Sequence, residues 1–138
     1  MSITTIRSMA VVRASETVPR LSRLRGGNPV VAVAAREARI AANEGLFREL
    51  NEQIEWLSGD ERRLTIVCEC GTLDCDERLT VSAVTYEDVR SDGTLFVIVP
   101  GHEFIDVEEI VHRAEAYAVV RKRPGLPAAI AKQTDPRS

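Results

Sequence analysis

All three cysteines of this chain lie within eight residues, in the segment CECGTLDC at positions 68–75. Thiolate sulfur is a preferred zinc ligand, and structural zinc takes four ligands in a tetrahedron, usually from cysteine and histidine. Cys68, Cys70 and Cys75 therefore need a fourth donor from elsewhere in the chain. An extracellular disulfide scaffold is disfavoured, because three is an odd number and no secretion signal precedes the segment.

Only two histidines are available as the fourth donor. His102 lies in a Pro-Gly-His-Glu turn directly after the most apolar run of the chain, where the end of a neighbouring strand could bring it to the sulfurs. His112 lies inside a predicted strand or helix and is interpreted as a surface residue. The sequence therefore predicts a closed, structural Cys3His zinc site formed by Cys68, Cys70, Cys75 and His102.

Two other interpretations of the cysteines remain open, because the Cys-x-Cys step is a less common spacing in zinc knuckles than Cys-x2-Cys. The thiols could pack without a metal as small hydrophobes, or act as a redox sensor through a Cys68–Cys70 or Cys70–Cys75 disulfide. Four acidic residues accompany the cysteines: Glu69, Asp74, Asp76 and Glu77. They raise thiol pKa values and disfavour a reactive thiolate, whereas a divalent cation relieves their repulsion; they also fit a solvated loop.

A hydrolase is the remaining chemical alternative. A catalytic zinc keeps an open position for water, and Glu103 beside His102 could serve as a general base. Cys75 and His102 could also form a nucleophilic pair. Three thiolates make zinc a poorer Lewis acid, however, and the sequence has no phosphate-binding glycine loop, HExxH or Gly-x-Ser-x-Gly motif. No catalytic residue is predicted.

A long amphipathic helix is predicted over residues 34–58, which are rich in alanine, glutamate, arginine and leucine. One face carries a continuous seam at helical spacing, formed by Ile40, Asn43, Phe47, Leu50, Ile54 and Leu57. The helix is predicted to end at Ser58-Gly59, because glycine suits a left-handed C-terminal cap. The seam is expected to pack on the chain's own sheet; the alternative is a face offered to a protein partner or to a second copy.

Short strands and turns follow the helix in residues 59–123. Strands are predicted at 64–67, 78–81 and 95–99, the last as a central strand, with a short helix at 85–89 capped by a threonine or by Ser82. Residues 110–113 and 117–121 are predicted to form a hairpin, with a helix over 106–116 as the alternative. The predicted class is α+β: a long helix on a small, mostly antiparallel sheet with a zinc-knuckle-like turn. Residues 124–138, with three prolines, are expected to be a flexible tail.

The first 33 residues are expected to be a disordered arm or a mis-annotated leader, because they lack sustained periodicity. The codons of Arg25-Gly26-Gly27 can contain a ribosome-binding sequence, and a valine at 30–33 could then be the start. A targeting peptide is the third interpretation.

Charge and composition limit the functions that this chain can have. The net charge is −3, and residues 1–30 carry five arginines against one glutamate, so the remaining 108 residues sum to −3 − 4 = −7. Aromatic residues make up 4%, and no apolar run reaches membrane-spanning length. These features favour a small cytoplasmic binding or regulatory module that docks on a protein through its helix or acidic surface; nucleic acid is a less favoured partner and a membrane is not predicted.

Four segments carry a resemblance to a known family: REARIAANEGLFRELNEQIE, VCECGTLDCDERLTVS, PGHE and TDPR. Together they resemble a family of small uncharacterised bacterial proteins with a CxCxxxxC cluster and a PGHE turn. The similarity covers about residues 34–137. It implies that Cys68, Cys70, Cys75 and His102 occur as a set, and it implies no particular activity.

Overall fold

The computed structural model describes residues 28–137, so the predicted arm or leader lies outside the described residues up to position 27. Helix α1 spans Pro29–Ser58. It begins five residues earlier than predicted, because the Asn28 side chain accepts a hydrogen bond from the Val30 N–H at 2.8 Å and proline suits the first turn. It ends at Ser58 as predicted, and Gly59 follows with a φ of +60°.

The first sheet is a two-stranded antiparallel hairpin of β1 (Arg63–Val67) and β2 (Arg78–Ser82). Its inward-facing residues are buried: Leu64, Ile66, Leu79 and Val81. The connection over residues 68–77 contains all three cysteines. Helix α2 (Ala83–Arg90) follows at once, and the Ser82 hydroxyl accepts a hydrogen bond from the Thr85 N–H at 3.0 Å, which confirms the predicted cap.

The second sheet has the order β3-β5-β4, formed by β3 (Leu95–Ile98), β4 (Glu108–Arg113) and β5 (Ala118–Lys122). Both pairings are antiparallel, so residues 108–122 form the predicted hairpin and the alternative helix is wrong. The prediction that residues 95–99 form a central strand is also wrong, because β5 lies in the middle. β3 is apolar because it is buried, although it is not the central strand. Its outer edge is covered by the cysteine segment, where the Glu69 N–H donates a hydrogen bond to the Val97 carbonyl at 2.9 Å.

Helix α1 packs on its own chain, which confirms the predicted α+β class, but the buried face is rotated from the predicted seam. Of the seam residues, Ile40 and Asn43 are buried and therefore closed to a partner, whereas Leu57 is 74% exposed. The other three are half-buried: Phe47, Leu50 and Ile54. In the middle of α1, the fully buried residues each lie one position after a seam residue: Glu44, Arg48 and Asn51. One residue is about 100° of helix rotation.

The expected flexible tail is instead helical in part, since α3 spans Leu126–Gln133. Pro127 and Ala131 are buried, and the Arg48 guanidinium donates to the Ala131 carbonyl at 2.7 Å. Pro127 lies in the first turn of the helix, where a missing N–H costs nothing. Beyond the helix, Arg137 forms ion pairs with Glu55 and Glu87 at 2.9 and 2.8 Å.

A buried charge cluster joins α1 to the second sheet. The Lys122 ammonium lies 2.8 Å from Glu44 and 2.9 Å from Glu108, and all three side chains are at most 1% exposed. Burial raises the pKa of Glu44, and the lysine only partly opposes that shift. Within residues 28–137, none of the helices is long and apolar enough to cross a membrane.

Candidate metal centre

The structure brings the four predicted ligands together. One ligand atom from each of Cys68, Cys70, Cys75 and His102 lies within 4.8 Å of all the others. The Nδ1 atom of His102 is 3.5 Å from the Cys68 sulfur and 3.6 Å from the Cys75 sulfur. A tetrahedral zinc about 2.3 Å from sulfur and about 2.0 Å from nitrogen separates those atoms by about 3.5 Å. These two distances therefore match one tetrahedral ion, and the four donors together could hold a metal ion.

Two separate loops supply the donors. Cys68 follows β1 directly, and the turn that carries Cys75 is closed by its own N–H, which donates to the Thr72 carbonyl at 3.1 Å. His102 follows β3, in a turn closed by its N–H on the Val99 carbonyl at 3.0 Å. Gly101 precedes it with a φ of +96°, a conformation that side chains with a Cβ rarely adopt. A bound ion would tie the end of the first sheet to the end of the second.

The imidazole is held by its second nitrogen. Its Nε2 lies 3.1 Å from a carboxylate oxygen of Glu77, which leaves Nδ1 facing the sulfurs. A carboxylate on the far nitrogen of a ligating histidine fixes the tautomer and makes the ligand more basic. Glu77 therefore orients His102 from a position two residues after Cys75.

Backbone amides support the sulfur atoms. The Val99 N–H donates to the Cys68 sulfur at 3.2 Å. A backbone hydrogen bond from Thr72 contributes to the lowered pKa of Cys70, and one from Glu77 opposes the rise that burial causes in the pKa of Cys75. N–H donors of this kind stabilise thiolates, which are the form that binds metal.

When no metal ion is bound, the three thiols differ in pKa. A hydrogen bond from Cys68 lowers the pKa of Cys70 to about 5, and the same bond, with burial, raises that of Cys68. Burial also raises the pKa of Cys75. The cluster thus concentrates negative charge on one sulfur, and a divalent cation can displace the remaining protons.

Glu69 corrects the interpretation of the cysteine segment as a solvated loop. It is fully buried, between two cysteines that are themselves buried. Its carboxylate accepts hydrogen bonds from the Val97 N–H at 3.0 Å and the Asn51 amide at 2.8 Å. Burial raises its pKa, and these bonds oppose the shift. Apolar alternation gives no signal for this position, because Cys68, Glu69 and Cys70 are all buried.

Two asparagines of α1 hold the same segment from the helix side. Asn51 donates to the Val67 carbonyl and accepts from the Val67 N–H, both at 2.8 Å. Asn43 donates to the Gly71 carbonyl at 2.9 Å. The φ of Gly71 is not positive, so the backbone conformation does not require glycine at this position. A Cβ there would lie 2.4 Å from Cγ2 of Ile40, so glycine is needed for close packing of the helix.

A groove of about 450 Å³ opens beside the centre. It is lined by residues of both ligand loops: Thr72, Asp74, Cys75, Asp76, Glu77, Gly101, His102, Glu103 and Phe104. Cys75 and His102 are half-buried and face this groove, whereas Cys68 and Cys70 are buried. His112 lies on an exposed part of β4 against the Tyr117 ring, outside the centre.

Comparison with models of protein families, with curated proteins and with solved structures finds no match for this chain. The geometry itself defines the class: a small α+β chain with a Cys3His group that could hold a metal ion.

Proposed function

We propose that this protein binds one zinc ion at Cys68, Cys70, Cys75 and His102, and that the ion is structural. The observation that carries the proposal is the pair of sulfur–nitrogen distances, 3.5 and 3.6 Å, which equal the edges of a zinc-centred tetrahedron. Three soft sulfurs and one imidazole suit zinc better than magnesium or calcium, which prefer oxygen ligands.

A structural role follows from the number and type of donors. Four protein ligands fill a tetrahedron and leave no position for water, which a catalytic zinc needs. Three thiolates also neutralise the charge of the ion. The ion would instead join the β1–β2 connection to the turn after β3, and would add to the Val99–Cys68 hydrogen bond and the His102–Glu77 contact that already link these two segments.

The test compares the two histidines as a matched pair. Wild type and His112→Ala should each purify with about one zinc per chain by elemental mass spectrometry, and a strong chelator should lower their thermal midpoints. His102→Ala should hold less than half an equivalent after the same purification. Equal zinc content in both histidine variants would remove His102 from the centre, and a metal-free wild type would overturn the zinc proposal.

For the wider role, we propose a binding module that docks on a basic protein surface. The acidic groove and the charge of −7 over residues 31–138 support this role, because opposite charge speeds encounter and sets orientation. An arginine-rich peptide should bind in dilute salt and be released as salt rises, and Asp74→Asn with Asp76→Asn should weaken it several-fold. Equal binding of a glutamate-rich peptide, or no effect of the substitutions, would contradict this role.

A further inference from the structure

The three sulfurs of the centre differ in access. Cys68 is 2% exposed and Cys70 is fully buried, whereas Cys75 is half-buried and lines the acidic groove. A molecule entering the groove therefore meets the Cys75 sulfur first. We propose that Cys75 is an oxidation site, at which a small neutral peroxide opens the centre and releases its metal. This inference rests on the proposed zinc binding.

The chemistry consumes one peroxide and two thiolates. The Cys75 thiolate attacks one oxygen of hydrogen peroxide; the S–O bond forms, the O–O bond breaks, hydroxide leaves, and sulfenic acid is the product. A second thiolate then attacks the Cys75 sulfur, the S–O bond breaks, and a second hydroxide leaves. Sulfur loses two electrons overall and the peroxide oxygens gain two, with two protons converting both hydroxides to water.

Cys70 is the second thiolate in this proposal. The turn over residues 72–75, closed by the Cys75 N–H on the Thr72 carbonyl, folds the segment back, and the Cys75 sulfur lies within 4.8 Å of the Cys70 sulfur. The Cys68 sulfur is instead anchored by the hydrogen bond that it accepts from the Val99 N–H at 3.2 Å. A Cys70–Cys75 disulfide removes two of four ligands, and Cys68 with His102 cannot complete a tetrahedral site.

The groove also selects the oxidant by charge. Four of its lining residues are acidic and, within residues 28–137, no lysine or arginine lines it. Arg36 lies over the Phe104 ring, but its charge is paired with Asp106. Anionic disulfides are therefore repelled on approach to Cys75, whereas hydrogen peroxide is uncharged. The predicted trigger is peroxide rather than an anionic disulfide.

The experiment uses zinc-loaded wild-type protein, whose zinc content is measured first so that failure of zinc binding is separated from failure of this inference. Hydrogen peroxide should release one zinc, detected by a chelating dye, for each disulfide formed, and a reductant with added zinc should reverse the change. Tandem mass spectrometry of the tryptic peptide 64–78 should place the disulfide between Cys70 and Cys75. Zinc retained while peroxide oxidises the thiols, or a Cys68–Cys70 disulfide, would overturn the proposal.

A charge variant tests access through the groove. Asp74→Asn with Asp76→Asn should speed reaction with the dianionic disulfide dithiobis(nitrobenzoate) by roughly five- to tenfold at low salt, because two like charges are removed near the sulfur. The rate with peroxide should stay within about twofold. Asp60→Asn, before β1 and at the opposite end of that strand from Cys68, is the control and should change neither rate. An equal rise for both reagents, or for the control, would show that the groove does not govern access.

Discussion

Asn51 offers the sharpest test of how the helix supports the centre. Its side chain makes three hydrogen bonds of 2.8 Å, two with the Val67 backbone and one with the Glu69 carboxylate, and it is fully buried. Asn51→Ala removes all three and leaves a partly buried N–H and carbonyl of Val67, and the buried Glu69 carboxylate, with fewer partners. At about 1–1.5 kcal/mol for each bond, the expected loss of unfolding free energy is about 3–5 kcal/mol.

That loss is large against a typical domain stability of about 5–15 kcal/mol. Urea unfolding of zinc-loaded protein, at fixed zinc concentration, measures it. Gln53→Ala is the matched control, because Gln53 is exposed on the same helix and should change stability by less than about 0.5 kcal/mol. Val67 and Glu69 flank Cys68, so zinc affinity should also fall by about tenfold. A stability loss for Asn51→Ala below about 1 kcal/mol would refute the reasoning.

Three further outcomes are expected. Gly71→Ala should destabilise the fold by about 1–3 kcal/mol in urea unfolding, because its Cβ meets Ile40 at 2.4 Å; unchanged stability would contradict that contact. Burial, with repulsion from Glu87, raises the pKa of Glu55 to about 7. Wild type should therefore lose stability relative to Glu55→Gln as pH rises from about 4.5 through 7, and the difference should be constant below that window. A difference between the urea midpoints that does not change with pH would refute this. Glu77→Gln should retain zinc but bind it about tenfold more weakly in chelator competition, whereas unaltered affinity would show that this carboxylate does not support the imidazole.

The metal ligands could be predicted because their signal is local and chemical. Three sulfurs in one short segment require one more donor, and only two histidines exist in the chain. Of these, His102 follows a strongly apolar strand, and the end of that strand lies beside the cysteine segment. The hairpin at 108–122 and the Ser82 cap were predictable for the same reason, since each depends on neighbouring residues.

The buried face of α1 could not be predicted from apolar periodicity, because its largest fully buried side chains are polar or charged. Glu44 pairs with Lys122, Arg48 donates to two carbonyls, and Asn51 binds the Val67 backbone. Each partner is distant in sequence, so the burial becomes favourable only once the sheets are in place. The same holds for α3, whose buried Pro127 gains its packing from tertiary contacts.

X-ray absorption at the zinc edge of purified wild-type protein tests the central claim most directly, because it measures the ligands around the ion. The expected first shell is three sulfurs at about 2.3 Å and one nitrogen at about 2.0 Å. His102→Ala should lose the nitrogen contribution, and His112→Ala should keep it. A wild-type shell dominated by oxygen, or one with fewer than three sulfurs, would contradict a Cys3His centre.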